Sequence, residues 1–256
     1  MVTFPSAKIN IGLQVLGKRV DGFHDLNTIF YPLPFYDALE LIIDHSTNDI
    51  SFRQSGIGLD VTPEQNLVSK AWRLLKADFP AIKGIHTHLH KSIPSGAGLG
   101  GGSSDAASML KLLNDVFHLN INIEQLCVYA LSLGSDCPFF IHGAPSLARG
   151  RGEVLSGISL DLSSYDILLV NPNIHINTGY AFSQLKKYSE EIDLEKAVAL
   201  PVSEWKKTIV NDFEQPVTEA HPEIKELISL LYNRGALYAS LTGTGSTVYG
   251  IFEKGK

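Results

Sequence analysis

Pro94-Ser95-Gly96-Ala97-Gly98-Leu99-Gly100-Gly101-Gly102-Ser103-Ser104-Asp105-Ala106-Ala107 is the most informative stretch of the 256-residue chain. Five of the chain's 22 glycines fall within residues 96–102. Glycine costs conformational entropy and is kept where the backbone must take positive φ or let another group come close. The run opens directly onto a helical pattern, and a helix N-terminus presents unpaired N–H groups backed by the positive end of the macrodipole. Such a loop grips phosphate without any basic side chain. The hydroxyls of Ser103 and Ser104 follow, suited to cap the helix or to reach a metal ion carried by phosphates.

Other readings of these glycines fit less well. Gly96, Gly98 and Gly101 satisfy G-x-G-x-x-G, and Asp115 follows at 19 residues. The dinucleotide fingerprint, however, needs its first glycine at a strand tip and its acid at the end of the next strand. Here Pro94 intervenes and Asp115 follows a helical stripe. G-x-x-x-x-G-K-[ST] is absent, and no valine follows the glycines as in the protein-kinase loop. A flexible linker would not sit between Ile93-Pro94 and an Ala-rich helix.

Outward from the loop, hydrophobic alternation and short apolar runs predict strands near Thr3 and at 38–43, 85–89, 146–149, 166–170, 236–241 and 248–252. Helical spacing links Leu67, Ala71, Leu74 and Leu75 up to Pro80, and runs from Ser103 or Ser104 to Asn114. A third helix carries Ile123, Leu126, Ala130 and Leu133, with Gly134 as its left-handed stop. A fourth starts at Pro222 and closes at Gly235. Helices and strands mix without a strict βαβ beat, so the expected fold is α+β. Gly143, Pro145, Gly150, Gly152 and Gly157 interrupt the pattern, which predicts two lobes, 1–150 and 151–256, with the last strand free to pack back on the first.

Composition excludes several classes. With 44% apolar residues, two cysteines and a net charge of −6, the chain is neither a disulfide scaffold nor disordered. No run approaches the roughly 18 apolar residues of a membrane span. Residues 1–10 show no charged region followed by an apolar stretch, so a cytoplasmic location is expected. The acidic balance offers no field for nucleic acid, and any phosphate must be held locally.

Two further motifs accompany the glycine loop: Pro5-Ser6-Ala7-Lys8-Ile9-Asn10-Ile11-Gly12-Leu13 and Leu241-Thr242-Gly243-Thr244-Gly245-Ser246. In this order they resemble the three motifs of the GHMP small-molecule kinases, and together they span almost the whole chain. Asp21-Gly22-Phe23-His24 and Gly134-Ser135-Asp136-Cys137-Pro138-Phe139-Phe140 add two more that are similar to one branch of that family. The resemblance implies a two-lobed kinase fold with ATP and acceptor in the inter-lobe cleft, and Mg2+ arriving with ATP. It further implies a small-molecule acceptor carrying a cytidine diphosphate group, phosphorylated on a C2 hydroxyl of its methylerythritol moiety. Asp136, placed between a helix-ending glycine and Pro138, takes the role of base. Lys8, an ammonium in an apolar segment, stands beside it.

The same resemblance assigns His24 to the cytosine edge and Phe23 to stacking on it, where Tyr is the commoner residue. Val170-Asn171-Pro172 leads to Thr178-Gly179-Tyr180-Ala181-Phe182, whose Thr-x-x-x-aromatic spacing makes Phe182 the second ring, with Tyr180 the alternative. A base held between Phe23 and Phe182 is the expectation. Asn10 falls on the same strand face as Lys8 and is expected at the acceptor's hydroxyls. Asn66 reads first as an N-cap and, by resemblance, as an adenine-side residue. Thr178, Gly243, Thr244 and Gly245 complete the acceptor side. A homoserine or mevalonate kinase would have no use for Asp21-Gly22-Phe23-His24, and an inactive binding module would be expected to have lost Lys8 or Asp136.

Outside these motifs, His86, His88 and His90 alternate with Ile85, Thr87 and Leu89, as in a half-buried strand with a polar outer face. Cys127 and Cys137 read as packing residues. Lys186 and Lys187 with Glu190 and Glu191 fit exposed i, i+4 helix pairs.

Overall fold

The computed structural model describes residues 1–58 and 61–255. In chain order the strands are β1 (Val2–Thr3), β2 (Ser6–Lys18), β3 (His24–Tyr36), β4 (Ala38–Asp44), β5 (Ile50–Gly56), β6 (Gly84–Lys91), β7 (Ser146–Gly150), β8 (Val154–Gly157), β9 (Tyr165–Val170), β10 (Tyr238–Leu241) and β11 (Val248–Glu253). The helices are α1 (Leu67–Asp78), α2 (Gly101–Val116), α3 (Ile123–Leu133), α4 (Cys137–His142), α5 (Thr178–Ser183), α6 (Leu194–Val198), α7 (Glu214–Ala220) and α8 (Pro222–Asn233), with a 3₁₀ turn at Val202–Lys207. The fold is α+β, as expected from the sequence.

Two compact units make up the chain, each assembled from separate stretches: 1–8, 32–95 and 100–144 form one, and 9–31, 96–99 and 145 onward form the other. In the first, the sheet runs β1-β4-β6-β5. The β5-α1-β6 segment is a parallel crossover, with Ile50 opposite Ile85 and Ser55 opposite His90. Strand β6 alternates cleanly: Ile85, Thr87, Leu89 and Lys91 are buried, while His86, His88 and His90 are exposed. The three histidines therefore line the open face, where Ser55 Oγ lies 2.9 Å from both His88 Nε2 and His90 Nδ1. Helix α2 is threaded with Ala106, Ala107, Met109, Leu110 and Leu113, all fully buried, and small residues at its start let neighbouring elements come close.

The second unit holds the sheets β2-β3-β7-β8 and β10-β11-β9. Its core gathers Leu13, Val15, Phe213, Ile224, Ile228, Leu231, Leu241 and Val248, so α8 covers β10 and β11 with its apolar stripe.

Several local expectations change. Strand β3 was not predicted, and β2 was read as strand-like only around Lys8 and Asn10; each runs thirteen residues. Helix α2 begins at Gly101, and its N-cap is Gly100 at φ +70 with no side-chain cap. Ser103 and Ser104 thus lie inside the first turn and do not cap it, because the left-handed glycine itself turns the chain into the helix. Gly134 ends α3 as expected, though in an extended conformation at φ 170 and not a left-handed one. Lys186 and Lys187 fall beyond α5 in irregular chain. Lys186 pairs with Glu219 at 3.3 Å, and Glu191 with Arg149 at 3.0 Å, in place of helix pairs. Gly235 does adopt φ +94 just past α8.

The N-cap of α1 follows the sequence reading, with Asn66 Oδ1 accepting from Val68 N at 2.9 Å. Asn66→Ala is expected to lower stability by about 1 kcal/mol in urea unfolding. Asn66→Asp, which keeps the acceptor, is expected to stay within a few tenths of wild type.

Candidate active site

The glycine loop is held by contact on both flanks. Gly98 sits at φ +79, and a Cβ there would lie 2.0 Å from the carbonyl oxygen of Thr242. Gly100 sits at φ +70, and a Cβ would lie 2.8 Å from the Phe140 ring and 3.1 Å from Lys8 Cγ. Side chains are excluded at both positions by space as well as by φ. Past Gly100 the first-turn N–H groups of α2 receive no side-chain cap, leaving an anion-seeking helix mouth. Ser104 is buried and Ser103 is partly accessible.

Beneath that mouth lies a buried charge cluster. Lys91 Nζ is 3.1 Å from where a Gly101 Cβ would sit. It donates to Asp37 Oδ2 and, at 2.8 Å, to Asp105 Oδ2. Asp37 Oδ1 in turn accepts from Ser92 N at 2.6 Å and Ile93 N at 2.9 Å. The chain entering the loop and the helix leaving it are therefore tied to one ammonium. All three side chains are at most 3% exposed, and Asp105 Oδ1 has no hydrogen-bond partner. Burial, partly opposed by Lys91, pushes the Asp105 carboxyl up to about 7. None of the three was anticipated. The β6 register that turns the histidines outward also turns Lys91 inward, and that was the signal available.

Lys8 and Asp136 meet as the sequence suggested. Lys8 Nζ lies 3.6 Å from Asp136 Oδ2, with the lysine side chain 4% and the aspartate 33% exposed. Burial pulls the Lys8 ammonium below its ordinary pKa, and Asp136 opposes that pull. Asp136 precedes α4 without capping it, so its carboxylate is not consumed by its own helix. The result is a buried cation steadying a half-open carboxylate, the arrangement needed to accept a proton and stabilise developing oxyanion charge. Neighbouring Cys137 is buried and its thiol is pushed up to about 12, so it stays protonated and serves packing.

In the second unit the His24 ring stacks on Phe182 at 4.5 Å and 19°. Phe182 meets Phe213 edge-on at 4.8 Å, and Tyr188 lies 6.1 Å from His24. Burial and the nearby Lys18 charge lower the His24 pKa, favouring neutral imidazole. Phe23 is half exposed under the Arg151 guanidinium, 4.6 Å from the ring centroid. The rings brought into direct contact are thus His24 and Phe182, both of which the sequence reading assigned to the base. Tyr180 is half exposed. Thr178 Oγ1 and Thr244 Oγ1 approach to 3.4 Å.

Asn10 is 2% exposed, and its Nδ2 donates to Thr28 Oγ1 at 3.0 Å. The Gly243 turn, at φ +58, is clipped by Asn211, whose Nδ2 donates to Leu241 O and Gly243 O at 2.9 Å each. Asn211 was not foreseen, since its partners lie 30 and 32 residues away. Among the described residues no group of three or more His, Cys, Asp or Glu is arranged to hold a metal ion, and no helix is long and apolar enough to cross a membrane.

Comparison with known proteins gives two family matches: "GHMP kinases N terminal domain" over residues 66–144 and "GHMP kinases C terminal" over 194–256. A 4-diphosphocytidyl-2-C-methyl-D-erythritol kinase of Bacteroides thetaiotaomicron is 48% identical, covering 99% of this chain and 92% of its own. One from Cytophaga hutchinsonii is 44% identical over 99% and 93%. A crystal structure of 4-(cytidine 5'-diphospho)-2C-methyl-D-erythritol kinase superposes with a TM-score of 0.83 at 28% identity, covering 98% of this chain and 90% of that one.

The buried cluster makes stability depend on pH. Asp105 keeps a proton up to about 7 in the folded chain, while its ordinary value is 3.8. Between those values the folded state binds the extra proton, so stability falls as pH rises through the window. Denaturant midpoints measured from pH 5 to pH 8 are expected to decline for the wild type. Asp105→Asn, neutral throughout, is expected to flatten that decline.

Proposed function

The chain belongs to the GHMP kinases, and within them to the 4-diphosphocytidyl-2-C-methyl-D-erythritol kinases; on that premise we propose that it transfers the γ-phosphoryl group of ATP to the C2 hydroxyl of 4-diphosphocytidyl-2-C-methyl-D-erythritol. This is a step of non-mevalonate isoprenoid precursor synthesis, carried out in the cytoplasm. The observation that supports it best is the Lys8–Asp136 pair beside the helix mouth, with the Lys8 stem packed where Gly100 lacks a side chain.

Phosphoryl transfer asks the protein for placement and charge stabilisation more than for covalent chemistry. Asp136 accepts the proton of the acceptor hydroxyl as its oxygen bonds to the γ-phosphorus, and the bond to the β-phosphate oxygen breaks to release ADP. Lys8, 3.6 Å from Asp136, steadies the attacking oxygen as negative charge develops on it. The glycine loop, Pro94 to Ser104, grips the triphosphate through its N–H groups. Asn66 faces the adenine side. Mg2+, which neutralises phosphate charge, fits as a partner of the nucleotide: Ser103 offers the accessible hydroxyl, while Asp105 is already committed to Lys91. On the acceptor side His24 reads the cytosine edge, with Phe23 and Phe182 providing ring faces. Asn10, Thr178, Gly243, Thr244 and Gly245 shape the acceptor's surroundings.

A coupled ADP-release assay offering the cytidine diphosphate acceptor, mevalonate and homoserine is expected to show turnover with the first alone. Turnover confined to mevalonate or homoserine would remove the acceptor assignment. Lys8→Ala and Asp136→Asn are each expected to lower kcat by about 100-fold or more while the circular-dichroism spectrum is retained. Near-normal turnover in either variant would take that residue out of the chemistry.

A further inference from the structure

One hydroxyl joins all three sequence motifs. Thr242 is fully buried, and its Oγ1 accepts from Asn10 N at 3.0 Å while donating to Gly98 O at 3.0 Å, with Asn10 Oδ1 a more distant acceptor at 3.4 Å. Those partners lie 232 and 144 residues away in sequence. Asn10 is two residues beyond Lys8, and Gly98 is two residues before Gly100, where α2 opens. Both partners are backbone groups, so a shift in either bond moves main chain leading directly to the catalytic lysine or to the phosphate-gripping helix mouth.

The nearby groups are largely engaged elsewhere. The carbonyl of Thr242 is pressed against Gly98 and accepts from Gly245 N at 3.0 Å. Asn10 O is already bonded by the Tyr249 hydroxyl at 2.8 Å, and the Asn10 side-chain amide is donated to Thr28. Without Oγ1, a buried donor and a buried acceptor would lose their shared partner. Thr247, in the same turn, provides a contrast: it is equally buried, but its Oγ1 has no hydrogen-bond partner.

We propose that Thr242 is a positioning residue for phosphoryl transfer, its hydroxyl fixing the register between the glycine loop and the strand that carries Lys8. The proposal rests on the kinase reading, and two independent readouts keep the two separable: turnover of the wild-type enzyme tests that reading, and calorimetric affinity for a non-hydrolysable ATP analogue tests Thr242 even without an acceptor. Thr242→Val, which keeps shape and removes the hydroxyl, is expected to lower kcat at least tenfold and to weaken the ATP analogue at least fivefold. Thr242→Ser should restore both to within threefold of wild type. Thr247→Val, equally isosteric and equally deep, should leave both within twofold.

If Thr242→Val gives no soluble enzyme, Thr242→Ala is read in its place, and Thr242→Ser remains decisive. A tenfold loss in Thr242→Ser despite the retained hydroxyl would overturn the proposal. So would wild-type kcat and affinity in Thr242→Val, or equal losses in Thr242→Val and Thr247→Val.

Discussion

The carbonyl oxygen of Thr242 comes to within 2.0 Å of where a side chain at Gly98 would begin, and the rest of the architecture follows from that approach. Two backbone turns 144 residues apart in sequence can pack this closely only if one contributes glycine at positive φ. Once they do, the Gly98 carbonyl is within reach of the Thr242 hydroxyl, and the turn at Gly243 is steadied from behind by the amide of Asn211. The Gly98 carbonyl is thus engaged by a side-chain hydroxyl, while the glycines keep the N–H groups of the run bare of side chains.

The same principle explains the charge pattern. A net charge of −6 looks unsuited to a polyanionic ligand. Yet the two lysines nearest the loop are each matched to carboxylates: Lys8 to Asp136, and Lys91 to Asp37 and Asp105. Neither is a loose phosphate-binding arm. Lys91 acts on the loop from below, drawing its entry and exit together, whereas Lys8 serves the aspartate. On the proposed function, attraction for phosphate falls to the helix mouth, whose partial charge is built into the backbone and is independent of pH.

Much of this was legible in the sequence, and the gaps have physical causes. Lys8, Asp136 and the glycine loop announce themselves through residue types that are costly unless used. The full length of strand β2 escaped because residues 7–15 are all buried, so no alternation marks it, and Lys8, Asn10 and Gln14 break its apolar character. Strand β3 carries Pro32 and Pro34, which argue against a strand. Helix α2 starts early because Gly100 supplies the turn that the serines were expected to cap. Asp37 bonds a lysine 54 residues away, a distance at which no local pattern speaks. That His24 and Phe182 belong together was legible from their motifs, but their direct stacking was not, since ring contacts across a fold leave no trace in spacing.

Main-chain closeness at Gly98, rather than basic side chains, is proposed to create the triphosphate grip. Titration of ATP into Gly98→Ala tests this most directly, with the circular-dichroism spectrum confirming that the fold persists. A single added methyl group would collide with the Thr242 carbonyl and force the two turns apart. The account predicts that ATP affinity falls by about a hundredfold or more; an affinity unchanged from the wild type would contradict it.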